Sequence, residues 1–315
     1  MPTNNSLARL KSILKSKKSS AEKVVRIIEL APELPDEAIA VLDDALADAD
    51  PLLQVGIMDA YFEMTADKYH EQDLEAIMSR AKTLGDEGEE LYMAARVALG
   101  RINGLSMDSL DEWGDSQIDI TATSQRRRVS RGRRPKVADE ITIIIHGTFA
   151  SNGKWWRSGG DFFEYVKKDL NRSDLYGQTD QFKWSGKNRD RKRRQASVAL
   201  KSWLKGHPSK KVNIFAHSHG ANVAMLATHK DVYIDRLIML SPPVRKDYFA
   251  KWANVGVAHN IQASFDPVVA IAHGGQWFNL SQVKEKKLKA SGHSASHEPD
   301  VWRREKLANV IGIPW

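Results

Sequence analysis

The stretch Val212-Asn213-Ile214-Phe215-Ala216-His217-Ser218-His219-Gly220-Ala221-Asn222-Val223 decides the fold. Val212 to Phe215 is a short apolar run of the kind that forms a buried strand, and Ala221 to His229 is amphipathic at helical spacing. Between them stands Ala216-His217-Ser218-His219-Gly220, with a small residue two places before the serine and another two places after it. A tight turn from strand to helix needs small residues there, because larger side chains collide across it. The spacing therefore predicts a strand, a sharp turn and a helix, with Ser218 at the apex as a nucleophile.

Working outward, Ile141 to Ile145 runs directly into His146-Gly147-Thr148-Phe149. Gly147 lets the backbone turn so that the Thr148 amide faces the site beside the His219 amide, which makes Thr148 and His219 the expected oxyanion donors. A nucleophilic serine also needs a base, and the base a carboxylate that fixes its tautomer. Asp266 ends the run Asn260 to Phe265 and precedes Pro267-Val268-Val269, where the carboxyl edge of a sheet opens; a helix-cap or turn role competes with the catalytic one. Asp231, Asp235 and Asp247 sit before a strand or on a helix. For the base, His293 in Gly292-His293-Ser294 is the first choice and His297 the alternative, with His259 and His273 behind them. Both leading candidates precede a last helix that starts near Pro299.

Apolar runs at 141–145, 181–184, 212–216, 236–240, 260–265 and 276–280 alternate with helical stretches through residues 139–315. Strand alternating with helix implies a parallel sheet with right-handed crossovers. This part resembles a compact α/β-hydrolase of the bacterial lipase or esterase kind. The likeness is carried by the His-Gly-Thr-Phe segment, by Trp184-Ser185-Gly186-Lys187-Asn188 and by the Ala-His-Ser-His-Gly-x-Asn elbow. It implies an acyl-enzyme on Ser218, with Asp266 as acid, a late histidine as base, Thr148 and His219 as oxyanion donors, and no cofactor. Ala221 departs from it, since many relatives carry a second glycine there.

Residues 1–110 read as an all-helical domain, with apolar residues three and four apart and Pro32, Pro35 and Pro51 at the joints. Glu37-Ala38-Ile39 recurs as Glu75-Ala76-Ile77, and the same offset sets Leu53 on Leu91, so stacked helical hairpins or a plain bundle are expected. This domain shows no catalytic cluster, its one histidine, His70, reads as a surface residue, and binding a protein partner is its expected use. Residues 111–138, with Arg126, Arg127, Arg128, Arg131, Arg133 and Arg134, read as a basic linker.

The chain of 315 residues holds no cysteine, which excludes a disulfide framework, a zinc-thiolate or iron-sulfur site and a thiol nucleophile. No apolar run reaches the length of a membrane span and residues 1–20 lack a signal-peptide core, so a cytoplasmic location is the expectation. The net charge of +7 is unevenly spread. Residues 1–110 carry 12 basic against 20 acidic side chains, and residues 141–315 carry 28 against 14, so the two parts are expected to meet through complementary charge. Lys187, Arg189, Arg191, Lys192, Arg193 and Arg194 read either as the solvated face of a helix or as a patch for phosphate or an anionic membrane. Trp155, Trp156 and Trp184 line an acyl pocket or fill the core. His217 and His219 flank a tight turn, point away from it and have no carboxylate beside them, so no metal is expected. Nor is nucleic acid, because the arginines lack interleaved aromatics. The expected function is hydrolysis of a carboxylic ester, with lipid or phospholipid as substrate. The alternative is an interaction or regulatory protein built on a degenerate hydrolase fold.

Overall fold

The computed structural model describes residues 4–104 and 137–314. The expected basic linker, apart from its last two residues, lies outside them. In the C-terminal part five strands, β1 (Ala138–Ile145), β2 (Ser209–His217), β3 (Ile234–Leu240), β4 (Val255–Gln262) and β5 (Val283–Lys287), form one all-parallel sheet in sequence order. Successive residues of a strand point to opposite faces, and both faces here are covered. Ile143, Ile214, Ala216, Leu237 and Met239 pack on one side with Ala196 and Leu200. Ile144, Phe215, Ile238, Leu240 and Ile261 pack on the other with Phe162, Phe163 and Trp302. Because both faces are buried, the inner strands read in sequence as nearly continuous apolar runs.

Two expected strands do not form. Trp184 is turned across the loop after β1, where its Nε1 donates to the His146 carbonyl at 2.8 Å, and the Phe149 amide donates to the Gly186 carbonyl at 2.8 Å. Residues 181–184 therefore cross the end of β1 and do not run along its edge. In 276–280 the Phe278 and Asn279 amides donate to the Glu285 side chain at 2.6 and 3.2 Å, which takes their donors out of any strand ladder, and the fifth strand forms later, at Val283.

The N-terminal region is helical: α1 (Asn4–Lys15), α2 (Ser20–Leu30), α3 (Ala38–Leu46), α4 (Pro51–Thr65), α5 (Glu71–Thr83) and α6 (Glu89–Ile102). Asp50 caps α4 by accepting from the Leu52 and Leu53 amides at 3.1 and 3.2 Å, with Pro51 in the first turn, where no donor is lost. Gly56 lets α4 press on α2, since a Cβ there would lie 2.7 Å from Val24. The 38-residue offset relates the starts of α4 and α6, at Pro51 and Glu89, but not those of α3 and α5, at Ala38 and Glu71. The pairs are hairpins without a strict repeat. His70 is buried and edge-on to Tyr61 and Tyr69 with centroids 4.9 Å apart, which corrects its reading as a surface residue.

The helical region packs on the sheet domain through a short helix after β4, α10 (Pro267–Ile271), numbered after α7 (Asp161–Lys168), α8 (Asp190–Gly206) and α9 (His219–Thr228). Val268 and Ile271 complete the apolar core of the helical region together with Val24, Met93 and Val97. At the margins Arg26 lies over the Phe265 ring, 5.5 Å from its centroid, and Arg96 over Phe149 at 4.4 Å. The centre of this seam is apolar, and the two cations at its margins come from the acidic part. No helix among the described residues is long and apolar enough to cross a membrane.

Candidate active site

Ser218 stands between β2 and α9 at φ 51° and ψ −132°, a backbone conformation that costs a non-glycine residue energy. Its amide donates to the Leu240 carbonyl at 2.8 Å, which fixes the turn to the neighbouring strand. Two glycines make room for it. A Cβ on Gly220 would lie 2.5 Å from the His146 carbonyl oxygen, and one on Gly147 would lie 2.7 Å from Ser218 Cβ. The loop after β1 therefore packs directly against the turn. Thr148 and Ser218 line one cavity with His219, the first residue of α9, where free amides and the helix dipole favour negative charge. The Thr148 hydroxyl is buried there with no hydrogen-bond partner among the described residues.

Asp266 follows β4 and gives its two carboxylate oxygens to different partners. Its Oδ1 caps α10 by accepting from the Val269 amide at 3.0 Å, and its Oδ2 lies 2.8 Å from His293 Nδ1. The carboxylate is an acceptor, so Nδ1 carries the proton and Nε2 is left with its lone pair. His293 lines the same cavity as Ser218, and its Nε2 is buried without a partner among the described residues. Burial disfavours the imidazolium, but the Asp266 carboxylate, with Glu90 and Glu89 beyond it, outweighs burial and raises His293 above its ordinary value.

His297 belongs to a different environment. Its ring stacks on Trp155 at 4.0 Å, edge-on to His217, and burial lowers its pKa to about 3. The structure brings His293, and not His297, to the cavity at Ser218 and to Asp266. Trp155, Trp156 and Trp184 are buried around His146, His217 and His297 and do not line that cavity, so they fill the core. Burial holds His217 and His219 well below their ordinary values, and the Asn222 amide lies 2.9 Å from His219 Nδ1. The two side chains part, His217 toward His293 and His297, His219 toward Asn222.

The basic cluster divides. Arg191 and Arg194 are exposed, whereas Arg193 is fully buried, where it donates to Asn188 Oδ1 at 2.9 Å and to the Tyr248 hydroxyl at 2.8 Å. Arg193 thus fixes Asn188, which also lines the cavity. Sequence spacing treated this arginine as one of a row and carried no signal for its burial.

The roof of the cavity was not legible either. Met93 and Val97 of α6, with Val268 and Ala272, close over Ser218 and leave about 30 Å³, room for a water or two. One turn earlier on the same helix, the Glu90 carboxylate faces the loop of His293, where a Cβ on Gly292 would lie 2.8 Å from its Oε2. Only the pairing of distant segments brings α6 here, so the helical region, which shows no chemistry of its own in sequence, borders the site.

No family model and no curated protein matches the chain. Among solved structures it is similar to a protein of unknown function from Agrobacterium tumefaciens, at 15% identity and a TM-score of 0.35 over 57% of this chain and 95% of that one. It is also similar to an uncharacterized protein from Bacillus cereus, at 14% identity and a TM-score of 0.33 over 98% and 99% of the two chains.

Proposed function

We propose that the protein is a serine hydrolase of the α/β-hydrolase class that cleaves carboxylic esters through an acyl-enzyme. The observation that carries this reading is the 2.8 Å contact of His293 Nδ1 with Asp266, which leaves Nε2 free in the cavity that holds Ser218. In the first half-reaction Ser218 Oγ attacks the ester carbon and its proton passes to His293 Nε2. The negative oxygen forms beside the Thr148 and His219 amides. The C–O bond breaks, His293 returns the proton to the leaving alkoxide, and an alcohol departs. Water then repeats the sequence on the acyl-serine with His293 again as base, releasing the acid.

Lipid or phospholipid is the finer reading, supported by the excess of basic residues in the sheet domain. The cavity is small, about 30 Å³, and bordered by Met93 and Val97 of α6, so an acyl chain needs those side chains to give way. The test is labelling by a fluorophosphonate probe. Covalent labelling of the wild type and none of Ser218→Ala supports the hydrolase; equal labelling of both, or none of either, refutes it and leaves the interaction protein on a degenerate fold. A panel of soluble short-chain esters beside phospholipid vesicles decides the substrate, and turnover of soluble esters with intact vesicles ends the lipid reading.

A further inference from the structure

The loop that carries the base is tied down on several sides. The Gly292 amide donates to the Phe265 carbonyl at 2.7 Å, His217 Nε2 lies 3.3 Å from the His293 carbonyl, and Ser296 Oγ accepts from Ser241 Oγ at 2.9 Å. The N–H of His293 itself, at the centre of the loop, faces the Glu90 carboxylate of α6. Gly292 serves this approach twice. It adopts φ +103°, and a Cβ on it would lie 2.8 Å from Glu90 Oε2. The other oxygen, Oε1, is buried with no hydrogen-bond partner among the described residues, an arrangement that costs stability unless it serves something else.

We propose that Glu90 is a positioning residue of the hydrolase, a carboxylate brought by the helical region that fixes the loop of the general base and adds negative charge beside it, so that the site is complete only with α6 seated. This rests on the serine-hydrolase reading of Ser218, His293 and Asp266. The charged and titratable groups that face His293 are Asp266 from the end of β4, Glu90 and Glu89 from α6, His217 and His219 from either side of the elbow, and His297 from its own loop. Of these, Glu90 faces the His293 N–H from the helical region, while His217 Nε2 lies at its carbonyl. Burial, with Asp266 close by, pushes the Glu90 carboxyl up to about 7, and the charges of Glu90 and His293 each favour the ionised form of the other.

The test uses the full chain, with the rate of fluorophosphonate labelling followed against pH for the wild type, Glu90→Gln and Glu90→Ala, and thermal unfolding measured beside it. Gln keeps an acceptor for the His293 amide but no charge. Its rate at high pH is expected to stay within about threefold of the wild type, while the acidic limb of the profile moves to lower pH, because removing a negative charge destabilises the imidazolium. Ala removes both and is expected to label about tenfold more slowly or worse throughout, since a small displacement of the base is costly. Wild-type rates and an unmoved limb in both folded variants overturn the proposal, as does an equal loss in both with no shift of the limb, which is what a merely structural role gives. Failure of the wild type to label overturns the hydrolase reading itself and this inference with it.

Discussion

Asp266 presents one carboxylate to two partners: Oδ2 lies 2.8 Å from His293 Nδ1, and Oδ1 accepts the Val269 amide at 3.0 Å. The side chain that orients the imidazole is also the cap of α10, the helix on which the helical region is seated. The orientation of His293 and the docking of α2 and α6 therefore share a residue.

Asp266→Asn separates the two duties. Asn caps a helix about as well as Asp, so stability is expected to change by a few tenths of a kcal/mol. An amide that donates to Nδ1 favours the wrong tautomer, and labelling at Ser218 is expected to slow by about 10³ to 10⁴. Labelling kinetics beside thermal unfolding check both halves. An unchanged rate would mean that another acid serves the base.

The hydrolase reading predicts an acidic limb with a definite sign. His293 acts as a base only when neutral, and its carboxylate neighbours raise it above the ordinary 6.5. Labelling is therefore expected to fall as pH drops through a midpoint above 6.5. A midpoint below that value would show that burial, and not Asp266, dominates.

Stability follows a second set of groups. Burial holds His146, His217, His219, His259 and His297 below the ordinary 6.5. Below that pH the unfolded chain binds protons that the folded chain refuses, so these residues remove stability as pH falls. Asp59 and Glu90, pushed up to about 7 by burial, act in reverse, since the folded chain keeps their protons after the unfolded chain has lost them, and that contribution disappears as pH rises through about 7. His293, raised above 6.5 by its carboxylate neighbours, acts in the same reverse sense, and the five buried imidazoles outnumber these three groups on the acid side. The melting temperature is expected to be highest near neutrality and lower at about pH 5. Calorimetry across that range decides it, and a flat profile would contradict the buried neutral imidazoles.

Gly220→Ala tests the elbow. The added Cβ would meet the His146 carbonyl at 2.5 Å and the Ile145 carbonyl at 2.8 Å, both backbone atoms at the end of β1. The expected cost is about 1–3 kcal/mol, with labelling reduced because Thr148 is pushed from Ser218. A variant with wild-type stability and rate would show that the turn is looser than this geometry.

In the helical region Arg101 bonds to both Asp59 and Glu63, and the Asp59 side chain is fully buried. Arg101→Met leaves that carboxylate without its counter-charge and is expected to cost about 3–5 kcal/mol, read from denaturant unfolding. Asp59→Asn added to Arg101→Met should recover part of the loss, because the uncompensated charge is gone.

The elbow, the strand before it and the carboxylate after β4 were legible because each is a local matter. A turn that excludes Cβ atoms leaves glycine and alanine at fixed offsets from Ser218, and a strand buried on both faces leaves an apolar run. Residues 181–184 and 276–280 have the same composition and form no strand, because the bonds that divert them come from His146 and Glu285, partners no window of sequence includes. The choice between His293 and His297 was equally undetermined: four residues apart in one loop, they differ only in what the fold sets beside them, a carboxylate for one and an indole face for the other.

By itself, then, the sequence determined the parallel sheet, the position of Ser218 and a short list of partners for it, since these follow from steric exclusion and apolar periodicity along neighbouring residues. Tertiary structure alone decided which histidine meets Asp266, that Arg193 is buried behind Asn188, and that α6 brings Met93 and Val97 to the cavity at Ser218 and Glu90 to the loop of His293. The physical reason is that charge, burial and the space above a serine are set by atoms from distant segments, and packing chooses those segments.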